Sequence, residues 1–278
     1  MIVLEKFEMK KNLIFTIAIG PHQNLFRGCI QSQRLYALKH GYEFLVIDKA
    51  PRSLLPEEAS WLKIGMIKAA LLYGYDWVGF IDADCDVRPH APCYVQQFER
   101  FGHEKCLYLA PGISNRLNAG VIFARNATGS VAFFDEVERN ADIEVSAEDS
   151  APYENGHVIH FARGNPALQV IDHRLWNNNS QLDHDSYIQH YSGGPLRVWY
   201  MENRIRWLFA KKLARKSKAC LKKIGVNAFG KSVEEVRLES LGKVKPNPPM
   251  SRRLNELRPF YKSKYAVFKF MPDKITDI

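Results

Sequence analysis

The chain has 278 residues, and its 46% apolar and 25% charged residues are those of a globular protein, which excludes a disordered or collagenous chain. The net charge of +9 is local: residues 204–223 hold nine Lys or Arg and no acid, leaving 30 basic against 30 acidic residues elsewhere, so no nucleic-acid partner is expected. No apolar run is long enough to span a membrane, and five loosely spaced cysteines without C-x-x-C predict neither a disulfide framework nor a zinc cluster.

Residues 12–19 (NLIFTIAI) are apolar and β-branched, and Gly20-Pro21 ends them, which predicts a buried strand. Residues 24–40 follow with Leu25, Phe26, Cys29, Ile30, Leu35 and Leu38 at helical spacing. Gly41 suits the left-handed position that closes such a helix. Strands are predicted at 42–47 and 75–81, with a helix at 59–73 whose stripe is Trp61, Ile64, Ile67, Ala70 and Leu71. Strand-like segments follow at 106–111, 119–124 and 168–172, with a helix at 128–139. This alternation predicts an α/β fold whose mixed, mainly parallel sheet carries helices on both faces. Residues 241–250 are a Pro-rich break. The expected organisation is a catalytic domain over 1–200, a basic amphipathic helical segment over 201–240 and a tail over 241–278. The first residues (MIVLEKFEMKKN) lack the pattern of a signal peptide.

The strongest chemical signal is WVGFIDADCDVRP, residues 77–89. A buried strand stops at Asp82-Ala83-Asp84, and two carboxylates two residues apart can reach one hard cation, Mn2+ or Mg2+. Ligands of such sheets bind at the carboxyl ends of the strands. Asp86 is a possible substitute ligand by strand alternation. The same D-x-D look occurs in haloacid-dehalogenase-type phosphohydrolases, in which Asp82 would be the nucleophile. A solvated acidic turn on a non-catalytic, membrane-surface binding protein is the third reading.

Six segments in order resemble nucleotide-sugar glycosyltransferases of the GT-A fold, in the group of galactomannan galactosyltransferases, yeast Golgi mannosyltransferases and xyloglucan xylosyltransferases. They are HGYEFLVID (40–48), SWLKIGMIKAALLYGYDWVGFIDADCDV (60–87), LNAGVIFARN (117–126), YENGHVI (153–159), LWNNN (175–179) and YIQHYSGG (187–194). Position 155 is Asn where the group has Gln. The resemblance implies a metal-dependent, retaining transfer of a sugar from a nucleoside diphosphate sugar to a glycan or lipid-linked glycan. It points to Asp82, Asp84 and His190 as metal ligands, His190 being followed by Gly193-Gly194, whose backbone can approach a phosphate closely. Lys63 would face the nucleotide, and Ile17, Ala18 and Ile19 would seat the base. Asn118 and Gly120 would lie at the donor sugar. Glu154 would hold the acceptor hydroxyl or stabilise an oxocarbenium-like centre.

Residues 204–224 separate on a helical wheel. Phe209, Ala210, Leu213, Cys220, Leu221 and Ile224 fall on one side, and Lys211, Lys212, Arg215, Lys216, Lys218, Lys222 and Lys223 on the other. That division is the pattern of an interfacial helix on an anionic membrane. The sequence therefore predicts a cytoplasmic enzyme, peripheral on the inner face of the membrane, in cell-envelope polysaccharide or lipopolysaccharide synthesis.

Overall fold

The computed structural model describes residues 11–213, 250–253 and 255–256. The chain forms two compact units, Met1–Ser192 with Met250–Ile278, and Gly193–Pro249. In the first, the described elements are β1 (Asn12–Ile17), α1 (His22–Leu25), α2 (Arg27–Lys39), β2 (Glu43–Ile47), α3 (Pro56–Tyr73), β3 (Trp77–Ile81), β4 (Cys85–Val87) and α4 (Tyr94–Glu99), followed by β5 (Leu107–Pro111), β6 (Leu117–Arg125), α5 (Thr128–Arg139), α6 (Asn155–Ala162), β7 (Leu168–Val170), α7 (His173–Trp176) and β8 (Ile188–His190). The second unit is described only by α8 (Gly194–Leu213).

The main sheet runs β2-β1-β3-β6-β5-β7. Strands β2, β1 and β3 are parallel, β6 is antiparallel to both β3 and β5, and β7 is parallel to β5. The sheet is buried on both faces, and β3 shows how. Val78 and Phe80 pack with Trp61, Ile64 and Phe134 of α3 and α5. Trp77 and Ile81 turn the other way, among Tyr36, Tyr94 and Trp176. A Cβ at Gly79 would lie 3.1 Å from the Phe123 ring, so glycine lets β6 carry that ring against β3. A second sheet pairs β4 with β8 antiparallel, Cys85 opposite His190.

Two expectations change in detail. The helix predicted over 24–40 is split into α1 and α2, and its buried stripe is Phe26, Cys29, Ile30, Gln33, Tyr36 and Ala37. Leu35 and Leu38 face outward, 55% and 75% exposed. Helix α3 begins three residues earlier than predicted, because Pro56 at its first position needs no N–H partner and Glu58 accepts the Leu55 N–H at 2.8 Å. Gly41 and Gly74 close α2 and α3 with φ of 70° and 109°.

No described helix is long and apolar enough to cross a membrane. Helix α8 starts ten residues ahead of 204, while residues 214–224 and the break at 241–249 lie outside the described residues. Of the tail, Ser251 bonds Asp142, Arg253 bonds Glu57 at 2.6 Å, and Glu256 meets Arg52 at 3.4 Å. These contacts tie the tail to the start of α3 and the end of α5.

The loop that leads from α5 to α6 is anchored by Asp149. Its buried carboxylate pairs with Arg163 and with His160 Nδ1 at 2.8 Å, and accepts from Ser146 Oγ at 2.9 Å. Hydrogen bonding from Arg163, above all, holds the carboxyl down at about 2 although burial opposes it. The folded value lies below the ordinary carboxylate value, so this stabilisation is complete above about pH 4 and is lost as pH falls toward 2. Asp149→Asn is expected to lower the urea midpoint at pH 7 and to flatten the acid limb between about pH 4 and 2. Equal midpoints for the two proteins at pH 7 would exclude the anchor.

Candidate functional site

The site is built where β3 ends. Asp82 follows the last strand residue, and its N–H donates to Gly120 O at 2.8 Å, which fixes the strand end to β6. The turn Asp82-Ala83-Asp84 closes with Cys85 N–H donating to Asp82 O at 3.0 Å. Gln33, fully buried on α2, donates through Nε2 to Asp82 O at 2.8 Å and to Cys85 O at 2.9 Å. Its side chain therefore clamps both ends of the turn.

Lys63 comes up from α3 and is only 4% exposed. Its Nζ lies 2.8 Å from Glu154 Oε1 and 3.4 Å from Asp82 Oδ1, donates to Ala119 O at 3.3 Å, and sits over the Phe80 ring at 4.7 Å. Burial works against the ammonium, but Asp82 and Glu154 outweigh it and raise the lysine above its ordinary value. Burial, with Asp84 alongside, pushes the Asp82 carboxyl up, while Lys63 and His190 pull it down. Glu154 stands at the entry to α6 and is itself buried, its carboxylate turned to Lys63 rather than to the helix N–H groups.

His190 reaches the same place from β8. Its Nε2 lies 3.3 Å from Asp84 Oδ1 and 4.0 Å from Asp82 Oδ2. Its Nδ1 is taken by Asn177 Oδ1 at 2.7 Å. Gly120 makes room for the ring, since a Cβ there would meet His190 Cε1 at 2.2 Å. Asn118 Oδ1 accepts from Gly120 N–H at 3.0 Å and from Asn177 Nδ2 at 2.9 Å. Two carboxylates and an imidazole nitrogen converging in this way fit Mn2+ or Mg2+, which take oxygen ligands and accept imidazole. The tightest ligand cluster among the described residues is Asp84, Cys85 and His190, with ligand atoms within 4.8 Å of one another. Burial pushes the Cys85 thiol well up, which keeps it protonated and a poor ligand for a hard cation.

Of the residues picked from sequence, Asp82, Asp84, Lys63, Asn118, Gly120, Glu154 and His190 are brought together. Asp86 is not: it bonds Arg88 at 2.8 Å. Ile17 ends β1 and packs with Ile19 on the core, while buried Ala18 donates to Ile47 O at 2.8 Å. Gly193 and Gly194 open the second unit. Gln33 was not singled out in the sequence, Asn177 stood only within the LWNNN segment, and Asn155 was marked only as a departure from the group's Gln. Asn155 Oδ1 accepts from Ala119 N–H at 2.7 Å, and its Nδ2 donates to Leu117 O at 3.2 Å, so it holds the start of β6. In the sequence, Gln33 was recognisable only as a polar residue on an otherwise buried stripe.

Removing one member of a buried ion pair leaves the other uncompensated, which costs about 3–5 kcal/mol. Lys63→Met should therefore lower unfolding free energy by about that amount. Adding Glu154→Gln should recover a large part of the loss, because it removes the stranded charge. Urea denaturation of both variants at pH 7 measures this, and additive losses would mean that the two groups do not interact.

No protein-family model matches the sequence, and no curated protein matches it. Among solved structures, a glycosyltransferase involved in the glycosylation of the major capsid of PBCV-1 aligns over 70% of this chain and 99% of its own, with a TM-score of 0.56 and 15% identity. Mouse xyloside xylosyltransferase 1, in its apo form, aligns over 59% of this chain and 86% of its own, with a TM-score of 0.40 and 8% identity. The first likeness is one of fold: the six-stranded mixed sheet with helices on both faces is the GT-A-type α/β architecture.

Proposed function

We propose that the protein is a metal-dependent glycosyltransferase that moves a sugar, with retention of configuration, from a UDP- or GDP-sugar to a glycan or lipid-linked glycan of the cell envelope. The observation that carries this reading is the convergence of Asp82, Asp84 and His190 beside the buried Lys63–Glu154 pair at the end of β3. A divalent cation held there would supply charge to offset that which grows on a departing nucleoside diphosphate. Asp82 and Asp84 would bind it through their carboxylates, with His190 Nε2 as third ligand. Lys63 keeps Asp82 and Glu154 in place and offsets part of their charge. Glu154, held as a fixed carboxylate in a buried setting, is suited to a cationic sugar centre or to an acceptor hydroxyl. The carboxyl end of β1, residues 17–19, would seat the base.

A donor-hydrolysis screen across UDP-, GDP- and CMP-sugars with Mn2+ tests the reading. At a hundredfold excess over Kd, the right nucleotide with Mn2+ stabilises by about 2.7 kcal/mol, a shift of several degrees in Tm. Asp84→Asn should abolish both the shift and the transfer while the fold survives, because it removes a charge at nearly constant volume. Full activity in EDTA, or release of phosphate from p-nitrophenyl phosphate with no sugar turnover, would overturn the proposal and favour the phosphohydrolase.

The basic segment supports a location on an anionic membrane. On the helical wheel of the sequence seven basic residues fall on one side, each of which would be worth about 1 kcal/mol near such a surface, an attraction screened by salt. Replacing Lys211, Lys212, Arg215 and Lys216 with Gln should release the protein from phosphatidylglycerol-containing vesicles at low salt and slow transfer to a lipid acceptor. Transfer to a small soluble acceptor should persist. Equal pelleting with neutral and anionic vesicles would exclude the membrane role.

A further inference from the structure

We infer that Asn177 and Asn118 are positioning residues: together they form a relay, anchored on the backbone N–H of Gly120, that sets the tautomer of His190. Its purpose rests on the metal-dependent reading above, whereas its test does not.

The relay begins at a donor that cannot turn. Gly120 lies inside β6, and its N–H reaches Asn118 at 3.0 Å. The atom facing it must be the amide oxygen, because an NH2 group there would set donor against donor. That same oxygen receives Asn177 at 2.9 Å, so Asn177 must present its nitrogen to Asn118. Its oxygen is then left facing His190 Nδ1 at 2.7 Å. An amide oxygen only accepts, so Nδ1 carries a proton. In the neutral ring the lone pair is therefore on Nε2, the nitrogen 3.3 Å from Asp84 Oδ1 and 4.0 Å from Asp82 Oδ2.

Within the neutral ring, every escape from this arrangement ends on the backbone. Moving the imidazole proton to Nε2 sets two acceptors face to face at Nδ1. Turning Asn177 repairs that contact but opposes two amide oxygens at Asn118. Turning Asn118 as well sets its NH2 against the Gly120 N–H. Asn177 and His190 are both buried, so each mismatch carries the penalty of an unpaired polar group in a dry place. The frame does not yield either. His190 N–H donates to Asn178 O at 2.8 Å, Asn177 N–H to His173 O at 3.1 Å, and Asn155 holds the N–H of Ala119 next to the relay. Gly120 can contribute only because it lacks a Cβ, which the His190 ring would exclude.

A bare Nε2 beside two carboxylates is a ligand atom ready for a cation. Groups that orient a metal-binding histidine from behind alter metal affinity by about 10–100-fold. The test starts from the metal-free protein with 15N-labelled histidine. Two-bond 1H–15N spectra at alkaline pH, with His190 assigned by its loss in His190→Gln, read the tautomer directly. Wild type is expected to show the proton on Nδ1. Asn177→Asp, which keeps an acceptor opposite Nδ1 but sets a carboxylate oxygen against Asn118 Oδ1, should preserve the Nδ1 proton at a cost in stability. Asn177→Leu should lose that signature and weaken Mn2+ binding in the presence of UDP or GDP by about 10–100-fold in calorimetry. A proton on Nε2 in wild type overturns the relay without needing any variant to fold. So does an Asn177→Leu protein with an unchanged tautomer. An Nδ1 proton in a protein that takes up no Mn2+ would uphold the relay and remove the metal reading instead.

Discussion

The site depends on one buried ammonium. Lys63 lies among α3, the end of β3 and the entry to α6, and a lysine so deeply buried stays charged only if opposite charge surrounds it. Asp82 and Glu154 supply that charge from two elements far apart in sequence, so the ion pairs draw α6 and the β3 end onto α3. Asp84 stands beside this group, next to His190. Two carboxylates thus face the ammonium directly, those of Asp82 and Glu154. Asp82 and Asp84 both lie within 4.0 Å of His190 Nε2 beside this pair, and a divalent cation there would offset carboxylate charge.

The parts of this arrangement that were legible in the sequence are those that leave a periodic or terminal mark. The β-branched runs gave the central strands. The D-x-D stood out because it interrupts an apolar strand, and the stripe of α3 was readable because all its members are buried. Lys63 stood out only through the resemblance, as a lysine expected to face the nucleotide, and nothing local distinguishes a solvated lysine from one whose partners lie 19 and 91 positions away. Gln33 and Asn177 were missed for the same reason, since what they bond is set by tertiary packing. The stripe of α2 was misread at Leu35 and Leu38 because Gln33 and Tyr36 occupy buried positions that pattern reasoning assigns to leucine. Strands β4 and β8 hold three residues each, too few for alternation to register.

Topology explains why the candidate site residues of β6 are its first ones. In a sheet of parallel strands, ligands gather at the carboxyl ends, the edge where Ile17 ends β1 and Asp82 follows β3. Strand β6 runs the other way, pairing Ile81 with Val121 and Trp77 with Arg125. Its amino end therefore lies at the carboxyl edge of its neighbours, which sets Asn118 and Gly120 against Asp82 and leaves Arg125 at the opposite edge, bonded to His103 Nδ1 at 2.9 Å. The same reversal occurs in the small sheet, where antiparallel pairing of β8 with β4 sets His190 opposite Cys85, one residue beyond Asp84. Two antiparallel pairings thus bring an amide, a glycine and a histidine to a carboxylate pair that the parallel strands alone would leave without them. The Asn-x-Gly at the start of β6 and the histidine at the end of β8 follow from that geometry: each is the residue type that fits where a reversed strand meets the acidic turn.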